Sequence, residues 1–347
     1  LPIFKNCLIN DLFLMNLVDG RKLFSHQISG AKWLLSRKRA LLADEMGLGK
    51  TFTVLLAAKV ITSFTKISVI VIAPVGLHQH WLNEAKFLGI KINLQSWAKI
   101  PKELPKEGTI LIVDEAHFAQ SINSKRTKSF LRLARHPRLR VIWMLTGTPM
   151  RNGHPFQLYP LLAAMKHPIA DDKNLFEDYF CNRDALKTVN NFSNHYNYAD
   201  NLKDLNILLQ PYILNRKKKN LLSLPQKSRK KCPIYLSESE KIGFNYRLKL
   251  VIEDYRSRVT QGLVNLSSES LVALSAIRQI SAEYKLSSVI RIIEQIGKEE
   301  PVIVFSNFLQ PLYLLNDSSK GELLTGQQNI AERERVVSDF QLGKVNL

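Results

Sequence analysis

L-L-A-D-E-M-G-L-G-K-T, running from Leu41 to Thr51, decides how the rest of the chain is read. An apolar run ends in a glycine-containing loop, and a helix is expected to begin near Gly49. Glycines at 47 and 49 let backbone amides turn inward as an anion nest, and the helix start adds the positive end of its dipole. Asp44, Met46, Gly47, Leu48, Gly49, Lys50 and Thr51 are therefore the candidate phosphate-binding residues, with Lys50 reaching the outer phosphates and the Thr51 hydroxyl ligating magnesium. The simple G-x-x-x-x-G-K-T pattern wants a glycine where this chain has Asp44, so a strict match fails at one position.

Outward from this loop, short β-rich runs alternate with longer helical stretches: Ala40 to Ala43, Val69 to Ala73, Ile110 to Val113, Val141 to Thr146 and Val302 to Phe305. Such alternation predicts an α/β fold, a parallel sheet covered by helices on both faces. Ligands of these sheets gather at the carboxyl ends of the strands, and four of the five runs end in a motif there.

The run Ile110 to His117, I-L-I-V-D-E-A-H, delivers two adjacent carboxylates to that edge, 64 residues after Lys50. Asp114 is the candidate magnesium ligand, and Glu115 the group that orients and deprotonates an attacking water. An acidic helix start is the plainer reading of D-E after a strand; its pairing with Lys50 on an earlier strand argues for chemistry. Leu145 to Asn152, L-T-G-T-P-M-R-N, sets small hydroxyl residues at another strand end. Thr146, Gly147 and Thr148, with His117, are candidate coupling residues, although T-G-T-P also makes a good plain β-turn. Upstream, Gln27 sits on an amphipathic segment 23 residues before Lys50, where its amide could pair with both edges of adenine.

Charge points to a partner. Against 30 Asp plus Glu stand 49 Lys plus Arg, a formal net charge of +19, which favours a polyanion, nucleic acid first. Two stretches concentrate it: Lys125 to Arg140, with seven basic residues and no acid, and Arg216 to Lys231, with eight and none. No apolar run approaches the ~18 residues of a membrane span. Cys7, Cys181 and Cys232 are scattered and form no C-x-x-C pair, which fits a reducing, intracellular setting, cytoplasmic, nucleoid or nuclear. The chain opens on Leu1 and stops at Leu347 within a continuing pattern, so a piece of a longer polypeptide is expected.

These motifs in this order resemble helicase superfamily 2, and the wording D-E-M-G-L-G-K-T, D-E-A-H and L-T-G-T-P-x-x-N resembles its Swi/Snf-type DNA translocases, in which Asp44 is the family's own variant. Ala73 to Glu84 is similar to the segment that touches the tracking strand, which makes Pro74, His80 and Trp81 candidate nucleic acid contacts. Leu214 to Lys227 is similar to the inter-lobe brace and adds Arg216, Lys217 and Lys218. Ala276 to Ser281, Val302 to Phe308 and Leu324 to Gln341 are similar to the opening of a second lobe. Some of the wording, I-R-Q-I-S-A-E-Y-K among it, looks more like the annealing helicases than the nucleosome remodellers.

The resemblance implies two RecA-like lobes: residues 1–215 as lobe 1, 216–235 as a basic brace, and 236–347 as a helical segment with the start of an incomplete lobe 2. It implies ATP and Mg2+ as cofactors and double-stranded DNA, held through its backbone, as partner. A fifth motif and the arginines of a sixth would follow Leu347, so these 347 residues are expected to bind ATP and hydrolyse it poorly. Two alternatives stay open: an RNA or single-strand DNA helicase, and a non-catalytic DNA- or partner-binding module.

Overall fold

The computed structural model describes residues 23–150, 153–181, 199–225, 227–264, 266–296, 300–319 and 321–346. Cys7, both ends of the chain, Arg151 and Asn152 of the third motif, and Gln226 of the brace lie outside them. The chain forms two compact units, Leu1–Pro225 and Gln226–Leu347. Residues 216–225, expected as part of a brace, thus fold with the first unit.

The first unit is built on six parallel strands: β1 (Arg39–Leu42), β2 (Ser68–Ala73), β3 (Asn93–Ser96), β4 (Thr109–Val113), β5 (Leu139–Leu145) and β6 (Ile213–Leu214). Their order is β3-β2-β4-β5-β1-β6. Helices α1 (Ser25–Leu35), α2 (Lys50–Phe64) and α3 (His78–Phe87) precede or connect the early strands. Helices α4 (Lys125–Ala134), α5 (Tyr159–Met165), α6 (Lys173–Phe180) and α7 (Leu202–Leu209) belong to the later part.

Alternation along the strands builds two cores, because successive side chains leave opposite faces of a sheet. Leu41, Ile70, Ile72, Leu111, Val113, Ile142 and Met144 share one core with Phe130, Leu161, Phe176 and Leu205 of α4 to α7. Ala40, Leu42, Val69, Val71, Ile110, Ile112, Trp143 and Leu145 share the other with Leu34, Leu55 and Trp81 of α1 to α3. Covered on both sides, the strands can be almost wholly apolar, and β4 is buried along its full length. This is the α/β architecture expected of a RecA-like lobe.

The sheet order positions the site. β4, β5 and β1 are neighbours, with Val113 opposite Met144 and Leu42 opposite Leu145. The loops that follow them therefore open side by side at one carboxyl edge, although 64 residues separate Lys50 from Asp114.

The second unit contributes α8 (Glu238–Thr260), α9 (Glu269–Tyr284), α10 (Leu286–Ile296), α11 (Leu309–Ser319) and α12 (Ile330–Gln341). Helix α8 starts in a capping box, Ser237 accepting from the Glu240 amide while Glu240 accepts from Ser237. Asn329 and Glu332 do the same for α12. The strand expected at Val302–Phe305 is not formed. Val302 N–H donates to the Asn346 carbonyl at 2.7 Å, but a ladder needs a neighbouring strand on at least one side, and among the described residues the segment has none. Ile303 and Phe305 are accordingly exposed. No helix among the described residues is long and apolar enough to cross a membrane.

Candidate nucleotide site

Between β1 and α2 the backbone turns through two left-handed glycines, Gly47 at φ 80° and Gly49 at φ 72°, a conformation that costs a side-chain-bearing residue about 1 kcal/mol or more. Space makes the same demand. A Cβ on Gly49 would come within 2.5 Å of the Gln27 amide nitrogen. Gln27 is buried, and its amide oxygen accepts the Phe24 N–H that opens α1. Next to it, His26 Nε2 lies 3.0 Å from the Leu48 carbonyl. Helix α1 is thus fastened to the loop through His26, with Gln27 packed against Gly49. Gln27 stands where the sequence expects it, with one edge of its amide already used on its own helix.

Lys50 folds back so that Nζ donates to the Asp44 carbonyl at 2.8 Å. Its pKa is lowered by burial, against the pull of the Glu115, Asp114 and Asp44 carboxylates. The neutral carbonyl gives the ammonium one acceptor, and the nearby carboxylates offset only part of the cost of burial, so an anionic ligand would still improve its surroundings. Met46 is exposed and packs near Gly147, and Thr51 is half-buried at the helix start.

Asp114 is held from three directions. Trp81 Nε1 donates to Oδ2 at 2.9 Å, the Glu115 amide to Oδ1 at 2.9 Å, and Trp97 Nε1 to its carbonyl at 2.9 Å. Burial raises its pKa, and the Trp81 and Glu115 hydrogen bonds oppose the rise. Here one expectation is corrected. Trp81 is fully buried in the second core and cannot lie against a nucleic acid strand; its indole N–H fixes the carboxylate instead. Trp97 carries no signal in the sequence, since it lies 17 residues upstream of Asp114 in a separate loop.

Glu115 adopts φ 47°, ψ 50°, a left-handed conformation uncommon outside glycine and characteristic of functional sites. Its Oε2 lies 3.0 Å from His117 Nδ1, and the same nitrogen lies 3.2 Å from Thr146 Oγ1. Thr146, fully buried, also accepts from the Thr148 amide at 3.1 Å. Glu115, His117, Thr146 and Thr148 are therefore one polar chain joining the ends of β4 and β5. Gly147 lies beside it, a Cβ there falling 3.8 Å from Lys50 Nζ.

Asp44, the departure from the simple pattern, turns out to be an anchor. It is 1% exposed, and Arg216 grips it with Nε at 3.0 Å and Nη2 at 2.5 Å while the Arg216 amide adds a third bond at 3.1 Å. The other guanidinium nitrogen donates to the His26 carbonyl at 2.7 Å and to Ser29 Oγ at 3.0 Å. Arg216 is thus an internal clamp, which corrects its assignment as a nucleic acid contact: its donors are already spent inside the fold. Lys217 and His80 are exposed, Pro74 half-buried.

Such an edge sets a glycine-containing loop, a half-buried lysine and paired acids side by side on an α/β domain. The chain belongs to the SNF2-related domain family, whose pattern matches residues 26–89 and 99–286, and it is a superfamily 2 chain of the Swi/Snf type. It is 24% identical over 361 residues to the SWI/SNF-related matrix-associated actin-dependent regulator of chromatin subfamily A-like protein 1 of Xenopus tropicalis, covering 94% of this chain and 36% of that one. With the ATP-dependent DNA helicase DDM1 of Arabidopsis thaliana the identity is 25%, over 80% of this chain and 39% of the relative. The chain thus spans about a third of the length of the curated relatives it matches. Among solved structures, the Sulfolobus solfataricus SWI2/SNF2 ATPase core in complex with dsDNA aligns with a TM-score of 0.49 at 18% identity, covering 92% of this chain and 76% of that one.

Proposed function

We propose that this chain forms the ATP-binding half of a motor that couples nucleotide hydrolysis to movement along double-stranded DNA. The observation that carries the reading is the convergence of Lys50, Asp114, Glu115, His117 and Thr146 on one edge of the sheet, within the hydrogen-bonding pattern described above.

In this reading the amides of the Gly47–Gly49 loop and the start of α2 receive the phosphates, and Lys50 exchanges the Asp44 carbonyl for phosphate oxygens. Thr51 and Asp114 would hold Mg2+; the fit rests on a buried carboxylate aimed by two donors and a hydroxyl at the helix start. Bound magnesium supplies positive charge against the phosphates. Glu115 takes the proton of the attacking water, and the contact from Glu115 through His117 to Thr146 relays the state of the site to the β5 end. Gln27 reads the adenine edge beside the loop. His80, Pro74, Lys217 and the Lys125 to Arg140 stretch supply backbone contacts to DNA. Support for duplex DNA comes from the family, the excess positive charge and the helicase named among the relatives.

The same proposal has the 347 residues alone binding ATP and hydrolysing it poorly. The test is calorimetric titration of this chain with Mg-ATP, followed by phosphate release from the complete protein with duplex DNA, single-strand DNA or RNA. Binding that is lost in Lys50→Ala, and release stimulated most by duplex DNA, are the expected results; strongest stimulation by RNA would overturn the duplex assignment.

A further inference from the structure

Lys218, grouped by sequence with the nucleic acid contacts, is carried by the fold to the nucleotide loop. The pairing of β6 with β1 does not stop where the strands do. Leu41 N–H donates to Tyr212, Ala43 N–H to Leu214 at 2.7 Å and Glu45 N–H to Arg216 at 3.0 Å. Then the Lys218 N–H donates to the Glu45 carboxylate at 2.7 Å. Arg216, gripping Asp44, locks the register of this rail. Residue 218 is therefore seated beside residues 45 to 47 by a fixed series of bonds, and not by a flexible side chain that happens to reach.

From that seat the Lys218 side chain lies over the apex of the loop. A Cβ on Gly47 would stand 2.8 Å from its Nζ and 3.1 Å from its Cε, which sets the ammonium directly against the loop; the left-handed φ of 80° is what calls for glycine there. Glu45, the nearest acid in the sequence, spends its carboxylate on the Lys218 backbone and not on the ammonium. Among the described residues no carboxylate or hydrogen-bond acceptor meets Lys218 Nζ. The two ammonium groups feel each other: the charge of Lys218 lowers the pKa of Lys50, behind burial and the opposing pull of the Glu115, Asp114 and Asp44 carboxylates. A fold that brings two cations to one anion nest, with burial outweighing the carboxylates around Lys50 and no acceptor on Lys218 Nζ among the described residues, is completed by a ligand with more than one negative charge.

We propose that Lys218 is a second phosphate-binding lysine of the nucleotide loop, which together with Lys50 takes the phosphates of a nucleoside triphosphate. This rests on reading the loop as an ATP site. It follows that the start of the basic segment after β6 grips the nucleotide, and that loading the site fixes the chain at residue 218.

The test is titration of the 347-residue chain with Mg-ATP in four forms: wild type, Lys218→Gln, Lys218→Arg and Lys217→Gln. A charged hydrogen bond at a half-exposed position is worth roughly tenfold in affinity, so Lys218→Gln should weaken ATP binding about that much. Lys218→Arg should restore most of it. Lys217→Gln removes the same charge one residue away and should change affinity less than about twofold, which separates a local contact from the general field. The ligand-free melting temperature of Lys218→Gln should stay at the wild-type value. Equal effects of Lys217→Gln and Lys218→Gln, or an unaltered Lys218→Gln, would overturn the assignment; so would a Lys218→Gln chain that keeps its ATP affinity and loses binding to a fluorescent DNA duplex. Should wild type and Lys50→Ala alike show no binding, it is the ATP reading itself that fails.

Discussion

The two compact units are made from sequence of similar apolar proportion and use it differently. In the first, a parallel sheet gives every strand two covered faces, and long side chains such as Trp81, Trp143 and Phe130 are fully buried. In the second, helices pack with little beneath them: among the described residues the buried apolar side chains are Tyr255, Ala276, Ile280, Pro311, Leu315 and Val336. Ion pairs follow the same division. Arg216 and Asp44 meet at 16% and 1% side-chain exposure, Arg247 and Glu283 at 45% and 21%. The lesson is that chemistry needs the first kind of environment. A carboxylate such as Asp114 can be aimed by the Trp81 indole, while Trp97 holds its backbone carbonyl, only where a dense core holds both rings.

Five substitutions test how deep the contrast goes. The largest effect should come from the cores. Trp143→Ala, which removes a fully buried ring whose Nε1 donates to the Arg37 carbonyl at 3.0 Å, should destabilise the first unit by about 3–5 kcal/mol in denaturant titration. Leu271→Ala on α9, where the side chain is 69% exposed, should cost less than about 0.5 kcal/mol. Comparable costs would erase the distinction between the units.

Next come the ion pairs. Arg216→Ala leaves Asp44 buried and unpaired, a loss of about 3 kcal/mol that hydrogen exchange should locate in β1, β6 and α1. Arg247→Ala should cost about 1 kcal/mol or less, because solvent screens that pair. An Arg216→Ala chain as stable as wild type would show that the clamp is incidental.

The smallest effect should be of opposite sign. Lys50 is charged in the unfolded chain and partly desolvated in the folded one, so its pKa is lowered on folding and the charged form opposes folding. Lys50→Met should therefore raise the melting temperature of the ATP-free chain while abolishing nucleotide binding, the exchange of stability for function common at active sites. The sign gives a pH dependence. Below the folded-state pKa the lysine carries its charge in both states and the full penalty applies. As pH rises from there toward the ordinary value of 10.5 the penalty fades, and the advantage of methionine should fade with it. An advantage independent of pH would assign the effect to packing.

Much of the site was legible because its signals are local. The α/β class is readable from apolar runs of strand length between helices. Lys50, Thr51, Asp114, Glu115 and Thr146 each sit just beyond such a run, so a rule about strand ends finds them without coordinates. Trp81 shows where that reasoning stops: in Q-H-W-L-N it reads equally as a strand contact or as core, and only the packing of α3 against the sheet decides that it faces inward to Asp114. Val302–Phe305 shows the converse, since a strand-like run becomes a strand only beside another.

By itself, then, the sequence determined the class of fold and which residues stand at the strand ends, because those depend on neighbours within a few residues. Tertiary structure alone decided that Asp44 is the partner of Arg216, 172 residues away, and that Lys218 lies on Gly47. Those contacts depend on β6 being laid beside β1. Which strand lies at which edge is settled by how the whole sheet covers its faces, and no local pattern along the chain encodes it.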